Sequence, residues 1–254
     1  MFTIVDPTTI QDWDEQIKEL PGASFFHGSA WARVLKKSYG YKPLYFVNAD
    51  RELNTVIPLM EVSSFLTGKR VVSLPFTDYC EMLAPHPEVS RVMFDAIVLE
   101  GKKRGWNYIE LRGGASFLGE VKESTFYYRH VLDLTASTDT LFNRFRDSVR
   151  RNIRKALKEG VDVRFETGVD AVKTFYRLNC LTRRMHGLPP QPWAFFANLH
   201  ESIIARGAGV VVLGFFQNRP IAANVYLFSN GEAIYKYGAS DKGYQHLRAN
   251  NLLM

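Results

Sequence analysis

The sequence predicts an α/β protein of two successive halves, each a mixed, largely antiparallel sheet flanked by helices. Three observations predict it. The chain of 254 residues is long for one compact core and ordinary for two domains of about 125 residues each. The order helix, helix, strand, strand, strand, helix occurs in residues 1–135 and again in residues 136–254, without sequence identity between the halves. Finally, Gly209–Phe216 is a continuous apolar run, as a strand buried on both faces requires.

In the first half, residues 11–20 set Trp13, Ile17 and Leu20 on one helical face and stop at Pro21-Gly22. Ser29 reads as the cap of a second helix that buries Trp31, Val34 and Leu35 and ends near Gly40. Residues 44–47 and 55–62 form a strand pair about the polar turn Asn48-Ala49-Asp50-Arg51, and residues 71–74 a third strand. A helix from Val89 to Arg104 closes at Gly105, and strands follow at 106–111 and 126–134.

The second half opens on a basic helix, then a short strand at 162–165 and a helix over 170–186. Pro189, Pro190 and Pro192 break the chain before a helix that carries Phe196, Leu199, Ile203 and Ile204. The strand Gly209–Phe216 turns at Gln217-Asn218-Arg219-Pro220 into residues 221–228, and Asn230-Gly231 signals a hairpin to residues 233–238. Asn250-Asn251-Leu252-Leu253-Met254 opens a further helix. By comparison with the first half, roughly 40 residues are expected to follow. Residues 233–238 would otherwise be an unpaired edge that draws chains into self-association.

A net charge of +6 and a pI near 9.2 favour polyanionic partners such as RNA, phospholipid head groups or phosphorylated carriers. Nothing in the pattern points to DNA. Cys80 and Cys180 are far apart with no Cys-x-x-Cys pair, as reduced thiols of a cytoplasmic protein would be. Asp6 and Pro7 stand where a secretory leader would be cationic and apolar. No apolar run reaches the roughly 18 residues needed to span a bilayer. A cytoplasmic protein is expected, with any membrane contact transient, peripheral and at the inner face.

The densest chemistry lies in residues 144–158. Val149, Ile153, Ala156 and Leu157 recur at the spacing of a buried helical stripe, and Gly160 suits a left-handed stop. Arg144, Arg146, Arg150, Arg151, Arg154, Lys155 and Lys158 face only Asp147 and Glu159. So few i, i+4 partners of opposite sign leave a self-repelling face that an anion would relieve; Arg150, Arg151, Arg154 and Lys155 are its candidate phosphate ligands. Arg183, Arg184 and His186 crowd the end of a later helix, where His186 suits either the terminal carbonyls or a general-base role. Alternation places Tyr235 and Tyr237 on one face of their strand and Lys236 alone on the other. Lys236 is then a candidate stabiliser of a carbonyl or phosphate oxygen. Asp241, just past that strand, is a candidate base or amine-binding carboxylate, although a turn suffices to explain it. Tyr79 is a candidate acceptor-binding group. No cluster has metal-ligand spacing, and neither a Gly-x-Ser-x-Gly elbow nor a Walker loop is present, so no metal and no covalent enzyme intermediate are expected.

Several segments together are similar to one known family. They are Phe25-Phe26-His27-Gly28-Ser29-Ala30-Trp31, Val72-Ser73-Leu74-Pro75-Phe76, the basic helix Arg150-Arg151-Asn152-Ile153-Arg154-Lys155-Ala156, and Thr182-Arg183-Arg184-Met185-His186-Gly187-Leu188-Pro189. Arg219-Pro220-Ile221-Ala222-Ala223, Tyr235-Lys236-Tyr237-Gly238-Ala239-Ser240-Asp241 and Leu247-Arg248-Ala249-Asn250-Asn251 follow in the same order. The pattern resembles the FemAB-like branch of the GNAT acyltransferase superfamily, the peptidoglycan-bridge type. That resemblance implies two GNAT-like domains and transfer of an acyl or aminoacyl group to an amine, often of a cell-envelope precursor. The donor would be acyl-CoA or aminoacyl-tRNA, used as a co-substrate, with no tightly bound cofactor. It also implies that oxyanion donors lie where two neighbouring strands splay, the first at residues 233–238, and that Tyr237 and Asn250 help bind substrate. The turn after that strand carries only Gly243, so the Gly-rich pyrophosphate cradle of ordinary acetyl-CoA enzymes is not expected. The rival reading is a noncatalytic basic module that binds RNA or an anionic membrane.

Overall fold

The computed structural model describes residues 2–48, 53–114, 118 and 122–254. The expected turn at Asn48-Ala49-Asp50-Arg51 falls mostly on residues 49–52, outside the described residues. The chain divides into two compact units, residues 1–125 and 126–254.

In the first unit, β1 (Phe2–Val5), α1 (Trp13–Lys18) and α2 (Ser29–Tyr39) precede a run of short strands. These are β2 (Lys42–Pro43), β3 (Tyr45–Asn48), β4 (Val56–Ile57), β5 (Met60–Ser64) and β6 (Gly68–Val72). Helix α3 (Pro87–Arg104) and strand β7 (Ile109–Glu110) follow. The strands form two sheets, ordered β1-β3-β4 and β2-β5-β6-β7, antiparallel except for β6 with β7. The segment expected as one strand over 55–62 is therefore split between sheets. Ser29 is not the cap of α2; Gly28 holds that place, and Ser29 donates from its backbone N and its Oγ to the carboxylate of Asp14, at 2.6 and 2.7 Å. A side chain from α1 thus caps α2. Trp31 is fully buried, and Trp13 donates its indole N–H to the carbonyl of His27 at 3.0 Å. Leu44, Phe46, Ile57, Leu59, Met93 and Ile97 make the apolar core between the sheets and α3.

The expected strand at 126–134 does not form. That segment has no regular structure, and Phe126, Tyr127, Tyr128, Val131, Leu132 and Leu134 are exposed. Its alternating apolar pattern suits a strand, but among the described residues no strand pairs with it, and tertiary context decides strand formation more than propensity does.

In the second unit, α4 (Thr138–Arg144), α5 (Asp147–Lys158), β8 (Asp162–Glu166), α6 (Val169–Met185) and α7 (Trp193–Ser202) lead to a meander. That meander is β9 (Gly209–Phe216), β10 (Arg219–Ser229) and β11 (Glu232–Ser240), and a 3-10 turn (Lys242–Leu247) and α8 (Ala249–Leu253) end the chain. The sheet runs β11-β10-β9-β8, antiparallel throughout. Asn230 and Gly231 both have positive φ, 49° and 74°, as the two-residue hairpin requires.

Helix α5 rests on the core through Ala156, with Val149 and Ile153 half-buried. Leu157, expected on the same stripe, is 58% exposed and points away. Gly160 has φ +83°, and Val161 donates to the carbonyl of Ala156 at 3.1 Å, the six-to-one bond of a Schellman stop. Ala156, Val212, Ala222, Ala249 and Leu253 join α5 and α8 to one face of the sheet. On the other face, Phe175 of α6 and Phe195 and Phe196 of α7 pack against the ring of Tyr237.

Candidate active site

Where β10 and β11 meet α8, the second unit holds a cavity of about 240 Å³. Ile221 and Ala222 of β10, Ser240 at the end of β11, Asp241 as the cap of the 3-10 turn, and Tyr244 and Gln245 within that turn line it, together with Arg248, Ala249, Asn250 and Asn251 at the start of α8. Several of the polar groups have a structural reason for their position. Ser240 is pinned to α6, because its backbone N donates to Thr182 Oγ1 at 3.0 Å and its carbonyl accepts from that hydroxyl at 3.2 Å. The N–H of Asp241 extends the β10–β11 ladder by donating to the carbonyl of Ile221 at 2.8 Å. Its Oδ1 then accepts the N–H of Gly243 at 3.0 Å, while Oδ2 accepts Arg219 Nη2 at 3.2 Å. The guanidinium of Arg219 also lies over the ring of Tyr244, 5.1 Å from its centroid. Asn250 reaches back from α8 and donates to Ser240 Oγ at 3.3 Å. Arg248 precedes α8 with φ +60°, a left-handed conformation that glycine would adopt without strain.

A β-bulge lies beside this cavity. Val225 pairs with Tyr237, but the next residue, Tyr226, pairs with Tyr235, so Lys236 is the extra residue of β11. The bulge overturns the expected alternation. Tyr235 and Tyr237 face opposite sides of the sheet, and Lys236 is 9% exposed with its Nζ 5.2 Å from the Tyr237 ring centroid. On the α8 side, Tyr226 donates to the carbonyl of Leu253 at 2.9 Å and accepts Asn224 Nδ2 at 3.3 Å. Burial pushes the phenol pKa of both Tyr226 and Tyr235 above the ordinary value.

Of the residues singled out in the sequence, the structure brings Asp241 and Asn250 together at the cavity. Lys236 and Tyr237 are neighbours of it in the strand but do not line it; Tyr237 belongs to the aromatic cluster on the other face. His186 is exposed at the C-cap of α6, its backbone N–H shared between the carbonyls of Thr182 and Arg183 at 3.2 and 3.1 Å. Arg183 is tied to the carbonyl of Pro189 at 3.2 Å, and Arg184 is exposed. This helix end touches the cavity wall through the Thr182–Ser240 pair alone among the described hydrogen bonds. Tyr79 lies half-buried in the first unit.

The cations of α5 divide. Arg150 is drawn back to Asp147 and to the carbonyl of Asn143, and Arg154 lies over the ring of Phe142 at 5.4 Å. Arg151 and Lys155 are exposed, with no ion-pair partner among the described residues. Among the described residues no group of His, Cys, Asp and Glu could hold a metal ion, and no helix is long and apolar enough to cross a membrane.

A family model described as an acetyltransferase (GNAT) domain matches residues 143–254. Over those residues the chain is similar to GNAT acetyltransferase domains. The match begins within α4 and spans every wall of the cavity. Among solved structures, FemX overlays with a TM-score of 0.73 at 15% identity, over 100% of this chain and 83% of that one. A conserved protein of unknown function from Bacteroides thetaiotaomicron VPI-5482 overlays with a TM-score of 0.58 at 12% identity, over 99% and 85% of the two chains. No curated protein matches the chain in sequence. At such identities the overlays speak for the fold, an α/β arrangement of mostly antiparallel sheets flanked by helices. With the GNAT match they bear out the resemblance to the FemAB-like branch.

Sequence reasoning missed Arg219, Ser240, Tyr244, Gln245 and Arg248 as cavity or rim residues. One signal was within reach: a hairpin registered on Asn230-Gly231 brings the start of β10 back beside the end of β11, and so Arg219 towards Asp241.

Proposed function

We propose that this chain is an N-acyltransferase or aminoacyltransferase, moving an acyl or aminoacyl group from a phosphate-bearing carrier to an amine of a cell-envelope precursor. The carrier is acyl-CoA or aminoacyl-tRNA. One coincidence carries the reading: the polar cavity, from Ile221 to Asn251, falls wholly inside the stretch matched by the acetyltransferase model.

The chemistry needs three services. An amine must be held neutral to attack the carbonyl carbon, and its proton must go to a base. Asp241 is the carboxylate at the cavity and is assigned that role, with Arg219 orienting it. The tetrahedral oxyanion needs fixed donors, and the side-chain amide of Asn250 at the cavity is assigned as one of them. The intermediate then collapses, the bond to the carrier's sulfur or ribose oxygen breaks, and that atom leaves as thiolate or alkoxide to be protonated. In this reading Lys236 supports the bulge. His186, Arg183 and Arg184 form an outer cationic rim at the end of α6. The exposed cations of α5 receive phosphates of the donor.

A mass-spectrometric transfer assay tests this, with acetyl-CoA and alanyl-tRNA as donors and a lysine-bearing envelope peptide as acceptor. The expected result is an acylated peptide from one donor, with Asp241→Asn lowering the rate by about 100-fold or more. No product from either donor, with retention on RNA or anionic vesicles intact, would favour the rival reading of a noncatalytic basic module. The exposed Arg151 and Lys155 are the observation behind that rival.

A further inference from the structure

The register of the β10–β11 hairpin lays three residue pairs in a row on the face that carries α8. Ala222 pairs with Ser240, Asn224 with Gly238, and Tyr226 with Tyr235. The first pair lines the cavity. The second follows after two strand residues, about 7 Å further on, and the third ends the row.

The middle pair is where the row is open on β11. Gly238 has no side chain, and a Cβ placed on it would lie 1.8 Å from the hydroxyl oxygen of Tyr235 and 3.3 Å from Asn224 Oδ1. The tip of Tyr235 therefore occupies the space over Gly238 that a side chain would fill. The ring stays there for two reasons. The bulge at Lys236 turns Tyr235 onto this face, and the ring of Tyr226 packs beside it with centroids 5.6 Å apart. Tyr226 is itself fastened to α8 through the carbonyl of Leu253 at 2.9 Å. Tyr235 remains 44% exposed, so it closes the row at the surface and not as part of a packed core.

We propose that Tyr235 is a specificity-determining residue that limits the transferred group to a short acyl or small aminoacyl chain. The inference rests on the acyl-transfer reading above. A carrier seated in the cavity directs its acyl group along this row from Ser240 towards Gly238, where the Tyr235 hydroxyl stands. A short group ends before the Tyr235 hydroxyl; a longer one collides with the ring. The limit belongs to the ring and not to the hydroxyl's chemistry, so Tyr235→Phe keeps it and Tyr235→Ala removes it.

Binding to the full chain tests this in two arms, one with acetyl-CoA and hexanoyl-CoA, the other with alanyl-tRNA and phenylalanyl-tRNA. In the arm that binds, wild type and Tyr235→Phe are expected to prefer the short member. Tyr235→Ala is expected to shift the long-to-short affinity ratio by about tenfold or more, the scale at which a pocket distinguishes apolar groups of different size. Near-UV circular dichroism checks that the variant is folded, and Tyr235→Leu replaces it should alanine disturb the hairpin. An unchanged ratio in the binding arm overturns the inference and leaves the acyl-transfer reading standing. Failure of all four ligands to bind wild type overturns the reading itself, and the inference with it.

Discussion

His27 shows how much a single buried residue fixes. Its Nδ1 accepts the backbone N–H of Ser24 at 3.0 Å, which puts the ring proton on Nε2, 2.8 Å from the carbonyl of Glu81. Burial holds its pKa below the ordinary 6.5, although the bonds to Glu81 and Ser24 and the charge of Glu81 pull the other way. The folded pKa is thus depressed, and the unfolded chain binds the extra proton first. Stability from this site is whole above pH 6.5 and is lost as pH falls below it. Urea unfolding at pH 7.5 and 5.5 should show that loss in wild type. His27→Gln should be less stable at pH 7.5 by about 1–3 kcal/mol, from its unpaired buried partners, with a smaller further loss at pH 5.5. Equal pH dependence in the two proteins would remove His27 as its source. Legibility at this scale is uneven. Trp31 announces its burial by its place on an apolar stripe. The opposite facing of Tyr235 and Tyr237 was invisible because alternation assumes an unbroken strand, and no residue near Lys236 marks the bulge.

Helix α5 is the element whose sequence says most about itself. Its apolar spacing, its Gly160 stop and its position before β8 are all local properties, and all are present. Leu157 left the stripe because a straight helix advances 3.6 residues per turn, and the sheet meets only the side carrying Val149, Ile153 and Ala156. The pairing of Arg150 with Asp147 and Asn143 was not legible, since it depends on how α4 turns back beside α5. The exposed cations, not the paired ones, should carry anion binding. Arg151→Glu with Lys155→Glu is expected to abolish retention on heparin or tRNA at moderate salt. Stability should stay within about 0.5 kcal/mol of wild type, as for surface changes away from packed features. Retention unchanged by the double reversal would leave α5 as a solvated face.

At the scale of the molecule, the order of elements was readable because each element is announced by nearby residues, whereas sheet membership depends on distant ones. The first half shows the difference: residues 55–62 read as one strand but serve two sheets as β4 and β5. Residues 126–134 carry a strand's pattern with no strand beside them among the described residues. The cavity has the same character. Asp241 and Asn250 were nameable one by one, but the convergence of β10, β11 and α8 on them is a product of the whole second unit. In the proposed reading this convergence is the donor site. Hydrogen–deuterium exchange on the full chain, with and without saturating acyl-CoA or aminoacyl-tRNA, tests that assignment. Slowed exchange across residues 238–251, covering the end of β11, the 3-10 turn and the start of α8, is the predicted result. Unchanged exchange there with protection confined to α5 would contradict it.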